Sequence, residues 1–90
     1  MITINDFIKL EGFDEIDGGH MIIVKKIMGL HIKEIKEKLD IKEVMMNLTK
    51  GDEFSVKIKV KNGKEIEKSA SDKIIFTAID KAFKEIEADL

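Results

Sequence analysis

Seven lysines carry the most usable chemistry in this sequence: Lys25, Lys26, Lys33 and Lys36 in one run, and Lys73, Lys81 and Lys84 near the end. A lysine ammonium is a compact point charge with three donors, suited to a phosphate oxygen and poorly suited to reading a base edge. All 16 basic residues are lysine, so the pattern favours contact with a polyanion backbone over bidentate recognition. Residues 20–50 hold seven lysines against four acids, which gathers positive charge in a chain whose net charge is −2. The same lysines also fit a solvated helix face, with Lys33 meeting Glu37 and Lys36 meeting Asp40 one turn on. Both readings stand on the sequence alone.

Other chemistries find less support. His20 and His31 lie eleven residues apart, with no cysteine in the chain and no i,i+4 spacing, so no metal site is expected. His20 is expected at a helix start and His31 at a core edge. Asp14, Glu15 and Asp17 lack the ordered oxygen spacing of a calcium loop and read as an acidic link. No Ser-His-Asp set, acid and base pair or glycine-rich phosphate loop stands out. The expectation is a protein with no catalytic residues and no cofactor, and not an enzyme.

The 90 residues suffice for one modest core, so a single domain over 1–90 is expected. With 38% charged and 43% hydrophobic residues the chain is of globular type, and its near-neutral charge argues against coating nucleic acid by bulk charge. The absence of cysteine fits a reducing compartment. The apolar run Met21-Ile22-Ile23-Val24 is far short of the roughly 20 residues that span a membrane, and no basic-then-apolar leader is evident. A cytoplasmic protein without membrane contact is the expectation.

The elements that must position the lysines follow from periodicity. Phe54, Val56, Ile58 and Val60 alternate with Ser55, Lys57, Lys59 and Lys61, a strand with one buried and one wet face. Asn62-Gly63 marks a hairpin. A three-residue loop, Lys61-Asn62-Gly63, keeps the apolar residues on one face, pairing Ile58 with Ile66 and Phe54 with Ala70. It sets Lys57 opposite Glu67 and Lys59 opposite Glu65. Ser71 and Asp72 offer a cap, and Ile75, Ile79, Ala82, Phe83, Ile86 and Leu90 follow at helical spacing.

Upstream, Phe7–Glu11 alternates as a strand, with Ile8 and Leu10 inward and Gly12 ending it. Met1–Asn5 either extends that strand or frays. Asp17 can cap a helix from about His20 to Leu39, whose apolar side gathers Val24, Ile27, Met28, His31, Ile32, Ile35 and Leu39. Lys42–Thr49 is a further strand, and the turn Lys50-Gly51-Asp52 lets Leu48 pair with Phe54. Met45 faces outward there and marks a candidate dimer or partner surface. Lys68 has inward parity in the last strand, where an edge lets it snorkel. The order is β-α-β-β-β-α. A twenty-residue helix after the first strand implies a right-handed parallel crossover, and the other strands form an antiparallel meander. The fold class is α+β: a two-layer sandwich with both helices on one face of a four-stranded sheet.

The run from Val60 to Glu87 resembles the end of the ribosome hibernation-promoting and ribosome-associated inhibitor proteins. In those proteins an Asn-Gly hairpin leads to a strand of small residues, and an acidic residue precedes an aromatic-x-Ala-Ile-Asp helix start. Here Asn62-Gly63, Ser69-Ala70-Ser71-Asp72 and Phe76-Thr77-Ala78-Ile79-Asp80 stand at those places. Ile8-Lys9-Leu10-Glu11-Gly12 is similar to the family's apolar-x-apolar-x-Gly opening. The resemblance implies the same β-α-β-β-β-α order, of double-stranded-RNA-binding-domain type. It also implies a factor that docks in the decoding region of the small ribosomal subunit, where basic residues of both helices contact ribosomal RNA and block tRNA and mRNA. By position, that RNA face maps onto Lys25, Lys26, Lys33 and Lys36 of the first helix and Lys73, Lys81 and Lys84 of the second. The chain departs from the family in having no arginine, in placing Glu37, Asp80 and Glu87 on those surfaces, and in its acidic first link. The alternative is a protein-interaction module of the same fold without RNA binding, a homodimer through the free sheet face or the last strand's edge.

Overall fold

The computed structural model describes residues 2–4 and 7–90. Its elements are β1 (Ile2–Ile4), β2 (Ile8–Glu11), α1 (Gly18–Lys36), β3 (Glu43–Lys50), β4 (Phe54–Lys61), β5 (Glu65–Asp72) and α2 (Ile75–Ala88). The sheet has five strands in the order β1-β2-β3-β4-β5, which corrects the expected four. The extra strand, β1, pairs antiparallel with β2 from Ile2↔Leu10 to Ile4↔Ile8. Three residues are too few for an alternation to register, although Ile2 and Ile4 do pack on the core margin. Met1 and Asn5, the ends of the opening stretch, lie outside the described residues.

The crossover and the meander have the expected senses. β2 and β3 are parallel, with Ile8↔Val44 and Leu10↔Met46 in register, and α1 bridges them. β3–β4 and β4–β5 are antiparallel. Both hairpins sit two residues from the expected pairing. Leu48 faces Val56, Phe54 faces Lys50, Ile66 faces Val60 and Ala70 faces Val56. The last hairpin still has three loop residues, but they are Asn62-Gly63-Lys64, closed by the Asn62 N–H donating to the Lys64 carbonyl at 2.9 Å. Gly63 sits there at φ 96°, a left-handed conformation open to glycine. A slip of two keeps every side chain on its face, so the inward set is as expected. Val44, Met46, Val56, Ile58 and Val60 are fully buried.

On that face lie α1, through Met21, Val24, Met28, Ile32 and Ile35, and α2, through Ile75, Ala78, Ile79, Ala82, Phe83 and Ile86. Leu10 and Phe13 close the same core. Each such aliphatic or aromatic side chain contributes on the order of 1.5–3 kcal/mol by leaving water, and together they fix how each helix is rotated about its axis. Leu39 and Ile27 sit half-buried at the margin, while Leu90 is exposed. Lys68, inward by parity, reaches out to pair with Asp89 just past α2, at 2.9 Å.

Candidate nucleic-acid interface

Asp17 sets the start of α1. Its Oδ1 accepts the His20 N–H at 2.9 Å, and that backbone bond is the chief reason its carboxyl stays below the ordinary value of 3.8. From that start, with the buried stripe turned to the sheet, 100° per residue places Lys25, Lys36, Lys33 and Lys26 in succession around one outer flank. The flank lies on the β2 side. Lys33 and Lys36 border a hollow with Phe7, Ile8, Gly29 and Ile32, and the Lys36 ammonium stands 4.2 Å from the centroid of the Phe7 ring. All four lysines are exposed, and none forms an ion pair among the described residues. The anticipated Lys33–Glu37 and Lys36–Asp40 pairs do not form; Asp40 pairs with Lys42 instead.

Three apolar residues interrupt this outer surface: Ile22 is 58% exposed, Ile23 43% and Leu30 67%. A search for the buried stripe alone misses them. Their signal was present, since all three fall off that stripe by more than a quarter turn.

The lysines of the second helix are placed differently. Lys81 bonds Asp72 at 2.8 Å and Lys84 bonds Asp80 at 3.0 Å, so each ammonium already faces a carboxylate. Lys81 is the first cause of the lowered pKa of Asp72, and Asp72 in turn raises that of Lys81. Asp72 does not cap α2; its Oδ1 accepts the N–H of Ile74, which is itself the N-cap residue and has no side-chain bond of its own. Lys73 is exposed without an ion pair among the described residues, and lines a groove of about 390 Å3 with Ile16, His20, Phe54, Ile74 and Phe76. Among the described residues the seven lysines therefore divide into an unpaired flank on α1, one unpaired ammonium before α2, and two neutralised groups on α2.

Between the helices lies a polar seam that the sequence did not disclose. His31 sits at the core edge, as expected, with its ring stacked on Phe83 at 4.9 Å and 7°. Its Nε2 is 2.7 Å from Asp80 Oδ1 and its Nδ1 is 2.8 Å from Glu87 Oε1. Burial is the largest single influence and disfavours the imidazolium, but the bonds and charges of Glu87 and Asp80 together outweigh it and raise the pKa above 6.5. Lys84 and then His31 hold the Asp80 carboxyl below 3.8. The partners stand 49 and 56 residues from His31, beyond the reach of any spacing rule. Asp80 closes the Phe76–Asp80 motif, so the motif's acid has a structural task. His20 occupies the helix start, against Asp17 and stacked on Phe76 at 5.6 Å.

Among solved structures, the N-terminal domain of Thermus thermophilus protein Y superposes with a TM-score of 0.69 at 17% identity, over 96% of this chain and 94% of that one. The chain has the protein Y fold. A ribosomal subunit interface protein from Coxiella burnetii also has a TM-score of 0.69, at 13% identity, over 93% of this chain and 92% of that one. No protein-family model and no curated protein sequence matches the chain.

Proposed function

We propose that this chain is a non-enzymatic, ribosome-associated factor of the hibernation type, which docks on small-subunit ribosomal RNA in the cytoplasm and restrains translation. The observation that carries this reading is the flank of lysines on α1 that are unpaired among the described residues, set in a fold shared with a ribosomal subunit interface protein. The motif resemblance at Phe76–Asp80 points the same way. Four ammonium groups with no carboxylate partner among the described residues can each displace a condensed counterion from a phosphate. Lys73 adds a fifth contact at the start of α2. Lys81 and Lys84 contribute less, because a phosphate must first replace Asp72 or Asp80; exposed pairs of this kind are worth only about 0–1 kcal/mol, so the exchange is cheap.

Sedimentation with purified small subunits tests the proposal. Binding is expected at low salt and should weaken steeply at high salt. The triple substitution Lys26→Glu, Lys33→Glu, Lys36→Glu should lower affinity by about tenfold or more. A chain that stays in the supernatant at low salt does not have this function.

The rival reading, a protein-interaction module, draws on exposed Ile22, Ile23 and Leu30, which offer apolar area to a partner. Light scattering separates the two. A dimer that ignores both RNA and the lysine substitutions favours the rival.

A further inference from the structure

We propose that the α1–α2 seam is a binding site for a divalent transition metal, Zn2+ in the first instance, with His31 Nδ1 and carboxylate oxygens of Glu34 and Glu87 as protein ligands. One ligand atom from each of these residues lies within 4.8 Å of the other two. Small side-chain rotations close such a set around an ion with bonds of about 2.0–2.2 Å. His31 and Glu34 are three residues apart on one face of α1, and Glu87 faces them from α2, so all the donors stand on packed helices.

The hydrogen bond at the other ring nitrogen sharpens the assignment. With its proton on Nε2, His31 donates to Asp80, an arrangement that orients an imidazole and raises its basicity toward a metal. The Nδ1 lone pair then points at Glu87 Oε1 from 2.8 Å, acceptor against acceptor. That contact is favourable only if a cation lies between or beside the two atoms. A proton meets the need when the ring is charged. A metal ion meets it when the ring is neutral, with Glu87 drawing back by one rotation.

Charge and access agree. Glu34, Asp80 and Glu87 converge on one imidazole, and among the described residues Lys84 answers only Asp80, while Glu34 has no ion pair. Beside Glu34 and Glu87 opens a hollow of about 250 Å3, bordered also by Glu37, Lys38 and Leu90, which provides a path for the ion and room for water to complete its shell. Imidazole with carboxylate selects a borderline metal such as zinc over magnesium or calcium, which take oxygen alone. Occupancy of the site would tie α1 to α2 across the sheet's helical layer.

Thermal melting of EDTA-treated protein, with ZnCl2 or MgCl2 added at neutral pH, is the test. Zinc should raise Tm by several degrees and magnesium should leave it unchanged, with calorimetric titration giving one zinc per chain. Glu34→Gln leaves the His31 contacts to Asp80 and Glu87 in place, so its fold is retained; it should lose most of the zinc shift and bind at least tenfold more weakly. Absence of a zinc shift in the parent chain overturns the proposal. A shift of equal size in Glu34→Gln overturns it as well, because the ion then binds elsewhere, as at Asp17 and His20.

Discussion

Gly12 shows at residue scale how a position can be legible in kind and hidden in cause. Its place after Leu10 and Glu11 read as the end of a strand, which it is. What no periodicity carried is its φ of 85° and the carbonyl of Leu48, which a Cβ at this point would strike. Gly63 has a similar φ, 96°, but open space around it. Alanine at the two positions should therefore behave differently. Gly63→Ala should cost about 1 kcal/mol, from backbone strain alone. Gly12→Ala should cost about 3 kcal/mol or more, since strain and backbone collision add. Urea denaturation of both variants would check this, and equal losses would contradict it. Phe83 is a second such residue. Its stripe position was readable, but its stacking on His31 was not, because the contact depends on how two helices face each other. Phe83→Ala should destabilise by about 3–5 kcal/mol.

At the scale of elements, faces were readable and pairings were not. Alternation says which side of a strand is wet, yet it is blind to a slip of two. The loop hydrogen bond at Asn62 and Lys64 settles the register, placing Lys59 near both Glu65 and Glu67, at 3.7 and 3.8 Å, and leaving Lys57 opposite Ser69. The helix stripes were read nearly in full, whereas the seam between the helices needed the third dimension. That seam gives stability a pH dependence in metal-free protein. Since the folded pKa of His31 lies above 6.5, its contribution is complete below 6.5 and fades as pH climbs through the raised folded value. Melting temperature should thus rise as pH falls from about 8.5 toward about 6. Asp80 acts oppositely, but only under stronger acid, because its depressed pKa keeps it ionised until pH drops below 3.8. His31→Gln should flatten the upper window; an unchanged slope would mean that the seam does not titrate.

For the whole molecule, the α+β layering and the crossover were available from the order of periods, and the three-residue β1 was not. The place of the α1 lysines off the buried stripe was legible from helical spacing, but the pairing of Lys81 and Lys84 required α2 to be placed against Asp72 and Asp80. If the four α1 lysines each meet one phosphate, log affinity for small subunits should fall against log salt with a slope of about −3, or roughly sixty-fold between 50 and 200 mM. Replacing one of them by glutamine should reduce that slope by about 1. A slope near zero would point to contacts of another kind.

The parallel join between β2 and β3 has one more effect. Ile8 must find Val44, 36 positions along, whereas β3, β4 and β5 each meet the next element across a short turn. Closing the longer loop carries the greater entropy loss, so the N-terminal ribbons, synthesised first, settle last. Later protection of the Leu10 amide than of the Ile58 amide in pulse-labelled refolding would register that delay.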